Sequence, residues 1–136
     1  MEEILEFDDE LSRVVETFNG SPGAMERRRR ISLALAPQPG ESILDVGSGP
    51  GNQAYELSPL VSPGGAIEGV DPAESAIAIS SRRCSGLTNT KFKIGDAEQL
   101  PYADSAFDAV MSSQVFEYLE NVIGGLQETA FHGAAV

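Results

Sequence analysis

A short apolar run closed by three glycines sets the strongest limit on the fold of this 136-residue chain. Residues 42–46 read Ser-Ile-Leu-Asp-Val, and Gly-Ser-Gly-Pro-Gly follows directly at 47–51. The apolar run predicts a buried strand, and closely spaced glycines permit a tight turn from that strand into a helix. A strand, a glycine turn and a helix in this order are typical of a βαβ unit in a parallel sheet.

The rest of the chain continues this alternation of strands and helices. Helices are predicted at 4–18, 24–36, 55–60, 73–82 and 116–129, and further strands at 66–70, 91–94 and 107–111. Strands that alternate with helical segments predict the α/β class, with a doubly wound, Rossmann-like parallel sheet. Two aromatic residues near the last of these strands, Tyr102 and Phe107, are expected to face the core. The four consecutive arginines at 27–30 are expected on the solvated surface and not in a binding patch, because successive helical residues are about 100° apart and four in a row cannot share one site.

Composition excludes several classes of function. The chain has 9 Lys and Arg against 21 Asp and Glu, a net charge of −12, which argues against a surface that binds the phosphates of nucleic acids. A single cysteine, Cys84, and a single histidine, His132, are too few for a His/Cys zinc site or an internal disulfide. No apolar run approaches about 18 residues, and the acidic start does not resemble a signal peptide. We therefore expect a cytoplasmic protein with no metal site and no membrane contact.

Asp71 ends the second predicted strand, 20 residues after Gly51. In doubly wound sheets the ligand lies at the carboxyl ends of the strands, where an acid at this position reads a ribose. The glycine loop and Asp71 together predict a site for a nucleoside-type cofactor. The same carboxylate could also cap the helix that begins after Pro72, and both roles are compatible.

Spacing and charge distinguish among the cofactors that contain a nucleoside. The dinucleotide fingerprint requires a glycine three residues after Gly49, where this chain has Asn52. No Lys or Arg occurs at 31–81, and four acids are expected at the same edge of the sheet: Asp45, Asp71, Asp96 and Glu98. Their field would repel a pyrophosphate and attract a cation. S-adenosylmethionine, which has a net positive charge and no phosphate, fits better than NAD or a nucleoside triphosphate.

Three segments resemble the class I S-adenosylmethionine-dependent methyltransferases, especially the group with small-molecule acceptors. They read ILDVGSGPGNQ, IEGVDPAESAIAIS and IGDAEQLPYADSAFDAVMSSQVFEYL, in the order and spacing of the family. The resemblance extends over residues 29–128. It implies S-adenosylmethionine as the cofactor and a small molecule as the methyl acceptor.

The resemblance also implies roles for single residues. The loop at 47–51 would lie under the methionine moiety, Asp71 would accept both ribose hydroxyls, and Asp96 would accept from the adenine amino group. The N–H of Ala97 would reach an adenine ring nitrogen, and Ser113 matches the position where cofactor and acceptor meet. Asp45 is expected to accept from loop amides more than to touch the ligand, and no catalytic residue is predicted. The complete set of predicted cofactor-binding residues is Asp45, Gly47, Ser48, Gly49, Gly51, Asp71, Pro72, Asp96, Ala97 and Ser113.

The family pattern also predicts how the chain is divided. Residues 1–36 would form a helical cover, 37–130 the cofactor-binding core, and 131–136 a tail that does not match the family. The strand order would be 3-2-1-4 without the later strands of the family, leaving strand 4 as an open edge for self-association or for a partner chain. Such a partial domain leaves one alternative open, a non-catalytic S-adenosylmethionine-binding or interaction module. An NAD-binding oxidoreductase domain is a further alternative, which Asn52 and the cluster of acids disfavour.

Overall fold

The computed structural model describes residues 9–97, 99–103, 105–112 and 134–135. Two helices precede the sheet, α1 (Asp9–Asn19) and α2 (Pro22–Leu35). The elements that follow are β1 (Ser42–Val46), α3 (Asn52–Leu57), a 3-10 turn (Ser58–Leu60), β2 (Ala66–Asp71), α4 (Glu74–Arg83), β3 (Thr90–Ile94), β4 (Ala109–Ser112) and β5 (Ala134–Ala135). The predicted helix at 116–129 lies outside the described residues. None of the helices within the described ranges is long and apolar enough to cross a membrane.

The strands form one parallel sheet in the order β3-β2-β1-β4-β5. This confirms the predicted α/β class and the order 3-2-1-4 of the first four strands. Asp45 lies opposite Gly69 of β2, and Val46 lies opposite Ser112 of β4. Because all these pairs are parallel, the carboxyl ends of β1, β2 and β4 meet at one edge of the sheet.

The expectation of an open β4 edge is wrong for part of its length. Ala134 pairs with Ala109, and Ala135 pairs with Val110, as a short fifth strand on the outer side of β4. Backbone hydrogen bonds build this pairing, and two alanines show no alternation of apolar and polar residues. The sequence pattern therefore contains no signal for a strand of this length.

Two apolar clusters pack on opposite faces of the sheet. Ile43 belongs to one cluster and Leu44 to the other, as expected of successive residues in a strand. Residues of α3, β2 and β4 and Val61 complete the first cluster, and Ile31 and Leu35 of α2 pack against it. The second cluster is packed by Tyr102 and Phe107, whose rings meet edge to face with centroids 5.0 Å apart. The predicted core-facing position of these two aromatic residues is confirmed.

Candidate functional site

The glycine loop that follows β1 is anchored to the end of β2. The amides of Gly47 and Ser48 donate to the carbonyl of Val70 at 2.8 and 3.1 Å. The amide of Gly51 donates back to the carbonyl of Ser48 at 3.2 Å. The loop thus turns from β1 into α3 directly beside the carboxyl end of the neighbouring strand.

Asp71, the last residue of β2, contacts this loop with its side chain. Its Oδ2 accepts the amide of Gly49 at 3.0 Å, and its Oδ1 accepts the amide of Ala73 at 2.9 Å. The second bond closes an Asx turn ahead of α4, so the alternative that Asp71 caps this helix is wrong: α4 begins at Glu74, and no side chain caps it at Ala73. Burial raises the pKa of the Asp71 carboxyl, and the bonds from Ala73 and Gly49 oppose that rise. Each carboxylate oxygen has two lone pairs, so both oxygens can accept a further hydrogen bond from a ligand.

Gly49 and Gly51 differ in what surrounds them. Both have a positive φ, +53° and +85°. A Cβ added to Gly49 would have no heavy atom within 4 Å, whereas one added to Gly51 would lie 2.7 Å from Cβ of Ser80 in α4. Gly49 therefore presents an open backbone surface, and Gly51 permits the close approach of the loop to α4.

Ser48 points away from the open side of the loop. A Cβ added to Gly69 of β2 would lie 2.7 Å from the Ser48 Oγ, so this hydroxyl lies against the sheet. The Oγ is buried and has no hydrogen-bond partner. The contact of Ser48 with a cofactor stays a prediction.

Asp45 lies beneath the loop and is only 3% exposed. Burial, together with the nearby Asp71 carboxylate, raises the pKa of Asp45 to about 7. The expectation that Asp45 accepts from loop amides is wrong, because the amides of Gly47, Ser48 and Gly49 donate to Val70 and Asp71. A backbone carbonyl and the neighbouring acid already occupy those donors, which spacing along the sequence does not reveal.

The remaining described candidates lie at the same edge. The amide of Gly95 donates to the carbonyl of Asp71 at 3.1 Å, which holds the segment after β3 beside β2. Asp96 is exposed and Ala97 is buried, while Pro72 is exposed between β2 and α4. Ser113 and Glu98 lie outside the described residues. Within the described ranges, no group of three or more His, Cys, Asp or Glu side chains could hold a metal ion.

Arg83 contacts the glycine loop, and the sequence pattern does not indicate this contact. It is the last residue of α4, and its Nε donates to the carbonyl of Pro50 in the glycine loop at 2.9 Å. Its Nη2 forms an ion pair with the carboxylate of Glu16 in α1. These three residues are far apart in the sequence, and neither apolar periodicity nor a local motif could have predicted their contact.

Arg28 corrects the expectation that the four arginines are all solvated. It is 8% exposed, its Nε pairs with Glu56 of α3 at 2.9 Å, and its Nη1 donates to the carbonyl of Asn19 at 2.8 Å. Its own carbonyl accepts from Nε2 of Gln53 at 3.3 Å. The reason is that α2 packs on the sheet, so one of four successive residues must face α3. The helix that follows the glycine loop is therefore tied to α2.

Comparison with known proteins gives concordant matches. The family described as "Methyltransferase domain" matches residues 37–129. An uncharacterized 37.1 kDa protein in transposon TN4556 of Streptomyces fradiae is 33% identical over 95 residues, which are 70% of this chain and 28% of that protein. Demethylmenaquinone methyltransferase of Staphylococcus aureus is 32% identical over 83 residues, 61% of this chain and 34% of that enzyme. The chain thus spans about a third of the length of these curated relatives.

Solved structures show the same fold. A SAM-dependent methyltransferase from Aquifex aeolicus superposes with a TM-score of 0.78 at 20% identity, covering 94% of this chain and 68% of that one. An arsenic(III) S-adenosylmethionine methyltransferase from Chlamydomonas reinhardtii gives a TM-score of 0.64 at 28% identity, covering 71% of this chain and 36% of that one. Such similarity to several proteins shows the architecture of the sheet.

Proposed function

The chain belongs to the class I S-adenosylmethionine-dependent methyltransferase family, and from this premise we propose that it binds S-adenosylmethionine and transfers the methyl group to a small-molecule acceptor. The observation that carries the proposal is the contact between Asp71 and Gly49 at the carboxyl edge of the sheet. It places a carboxylate with spare acceptor positions next to a backbone whose outer side is open. The hydroxyls of a ribose need a carboxylate with spare acceptor positions, and the methionine part attached to that ribose needs an open backbone surface.

The open backbone at Gly49 supports a ligand at this edge. A ligand can approach Gly49 closely, since the position of its absent side chain is open. At the end of β4 the Oγ of Ser112 is buried without a hydrogen-bond partner. In the proposed arrangement the loop at 47–51 holds the methionine part, Asp71 holds the ribose, and Asp96 with the N–H of Ala97 holds the adenine. Ser113 remains a proposed contact at the end of β4.

The charges at this edge also favour this cofactor over a dinucleotide. Asp45 and Asp71 lie close enough for the second to raise the pKa of the first. The guanidinium of Arg83, which lies at the loop, already donates to Pro50 and pairs with Glu16. A sulfonium and an ammonium group are attracted by such a field, whereas a pyrophosphate is repelled.

Bound S-adenosylmethionine supplies an activated methyl carbon for in-line displacement by the acceptor. The part left to the protein is to orient the acceptor and to exclude water, and proximity and orientation carry most of such a rate enhancement. This division of labour requires neither a metal nor a nucleophilic triad. We propose that residues 1–36 form the cover over the acceptor, since α1 and α2 contact the loop and the helix after it through Arg83 and Arg28.

Calorimetric titration of the full chain with S-adenosylmethionine, S-adenosylhomocysteine and NAD tests the cofactor. We expect binding of the first two and none of NAD. Asp71→Asn should weaken S-adenosylhomocysteine binding about tenfold or more, because a charge-assisted acceptor is lost. Glu74→Gln is the matched control, since Glu74 is an exposed acid in the first turn of α4. NAD binding without a response to S-adenosylhomocysteine would refute the cofactor, and equal affinity of the two variants would refute the ribose assignment.

A methyl-transfer assay on the same preparation separates the two functions that share this site. Transfer of labelled methyl from S-adenosylmethionine to a panel of small-molecule acceptors is the expected result. Tight cofactor binding without transfer to any acceptor of the panel would instead support the second function, a non-catalytic S-adenosylmethionine-binding or interaction module. The Asp71→Asn variant should lose transfer together with binding, which excludes a contaminating activity.

A further inference from the structure

We infer that Arg83 is a positioning residue that joins the glycine loop to helix α1, so that the loop and the N-terminal cover order each other. Its Nε donates to the Pro50 carbonyl at 2.9 Å, and its Nη2 pairs with Glu16 of α1. One guanidinium therefore contacts the loop and the cover at the same time. The inference rests on the proposed function only for the identity of the ligand that the loop binds.

The bond to Pro50 acts where the loop has most conformational freedom. Pro50 lies between Gly49 and Gly51, and its own φ is fixed by its ring. The flanking glycines rotate more freely than any other residue type. A hydrogen bond to the Pro50 carbonyl limits the rotation of the peptide that joins Pro50 to Gly51. It thereby holds the open surface of Gly49 in one orientation.

The bond to Glu16 acts in the middle of α1, whose last residue, Asn19, is held separately by Arg28. On α1, Val14 is 60% exposed and Phe18 is 54% exposed. Because these two apolar side chains contribute little buried area, we expect a polar contact on α1 to change its docking measurably. The Arg83 side chain is 24% exposed, so the ion pair is partly shielded from water.

An arginine suits this double contact for a geometric reason. Its guanidinium carries several N–H donors in a fixed plane, so one donor can bind the carbonyl while another binds the carboxylate. A lysine offers one compact charge on a flexible stem and cannot hold both partners in the same way. The pairing of Arg83 with Glu16 alone would contribute little, because partly exposed ion pairs are weak. Its effect comes from ordering two elements through one side chain.

Amide hydrogen exchange of the ligand-free full chain tests the link. Glu16→Gln removes the charge on α1, 34 residues before the loop residue Pro50, and should raise the exchange rates of the four loop amides, those of residues 47, 48, 49 and 51, severalfold. Arg83→Lys should raise the rates both there and along α1. Two matched controls, Arg82→Lys beside Arg83 and the exposed acid Glu10→Gln on α1, should leave the loop rates unchanged. Global stability measured by urea unfolding separates a local effect from general destabilisation.

Titration with S-adenosylhomocysteine supplies the second readout. In the wild-type chain and in Arg82→Lys, the ligand should slow exchange along α1, because linkage between two sites is reciprocal. Arg83→Lys should abolish this slowing and weaken the ligand about tenfold. If Glu16→Gln leaves the loop amides at the wild-type rate, the inference is overturned whether or not the ligand binds. If the wild-type chain binds no S-adenosylhomocysteine but Glu16→Gln speeds loop exchange, the proposed function fails and the link from α1 to the loop stands.

Discussion

Gly51→Ala is expected to destabilise the fold because the glycine loop has no room for a methyl group at this position. The added Cβ would lie 2.7 Å from Cβ and 3.0 Å from Cα of Ser80. Ser80 is fully buried in α4, so its backbone cannot yield without moving the helix. Insertion of a methyl group into such packing costs about 1–3 kcal/mol. The φ of +85° adds about 1–2 kcal/mol for a residue with a Cβ. The expected loss in the free energy of unfolding is therefore about 2–5 kcal/mol.

Gly49→Ala is the matched control for this loss. Its φ of +53° imposes a similar conformational cost, but a Cβ at this position would have no heavy atom within 4 Å. We expect Gly49→Ala to lose about 1–2 kcal/mol and Gly51→Ala to lose at least about 1 kcal/mol more. Urea unfolding followed by circular dichroism measures both. Calorimetry should rank the two variants differently, since a methyl group on the open side of Gly49 obstructs the proposed ligand.

A double-mutant cycle identifies the contact that causes the loss. Ser80→Gly removes the Cβ that the new methyl group would meet, at a cost of about 0.5 kcal/mol in helix propensity relative to serine. If the overlap is real, Gly51→Ala combined with Ser80→Gly should be more stable than the sum of the single losses by about 1 kcal/mol or more. Strictly additive losses, or a Gly51→Ala variant as stable as Gly49→Ala, would refute the packing explanation.

Two further predictions concern buried charge. The Asp45 carboxyl keeps its proton up to about pH 7 in the folded chain but ionises near its ordinary pKa of 3.8 when unfolded. Native stability should therefore fall as pH rises from about 4 to 7, and the advantage of Asp45→Asn over wild type should grow by up to about 4 kcal/mol across that window. Urea unfolding at several pH values measures the difference in stability between the variant and wild type. A difference that stays constant with pH would show that ionisation of Asp45 is not its cause. Arg28→Met should cost about 1–3 kcal/mol, because the Asn19 carbonyl loses its donor, whereas the exposed Arg29→Met should change stability by less than about 0.5 kcal/mol. Equal losses in the two variants would show that the bonds of Arg28 to Asn19 and Glu56 contribute nothing.

The sequence predicted the elements that depend on local pattern. The strand at 42–46 was predicted with its observed bounds, and β2 and β3 were each predicted within one residue of theirs, because apolar runs end at glycines and turns. The position of Asp71 beside the loop followed from the topology of parallel strands. Contacts between side chains distant in sequence could not be predicted in this way. The buried position of Arg28, the bond from Arg83 to Pro50 and the pairing of β5 depend on tertiary packing that periodicity does not encode.

The carboxyl edge of the sheet concentrates features that oppose folding. Asp45 is an acid buried at 3% exposure, and Gly47, Gly49 and Gly51 all have positive φ. A fold that needed only stability would replace the acid with an apolar residue and shorten the loop. The surrounding contacts offset this cost, since Asp71, Val70 and Arg83 each accept or donate a hydrogen bond at the loop. A cationic ligand bound at this edge would relieve the repulsion between the two acids. Such a ligand should therefore stabilise the chain most at pH values above 7, where Asp45 is ionised, and a thermal-shift titration with S-adenosylmethionine at pH 6 and pH 8 measures that difference.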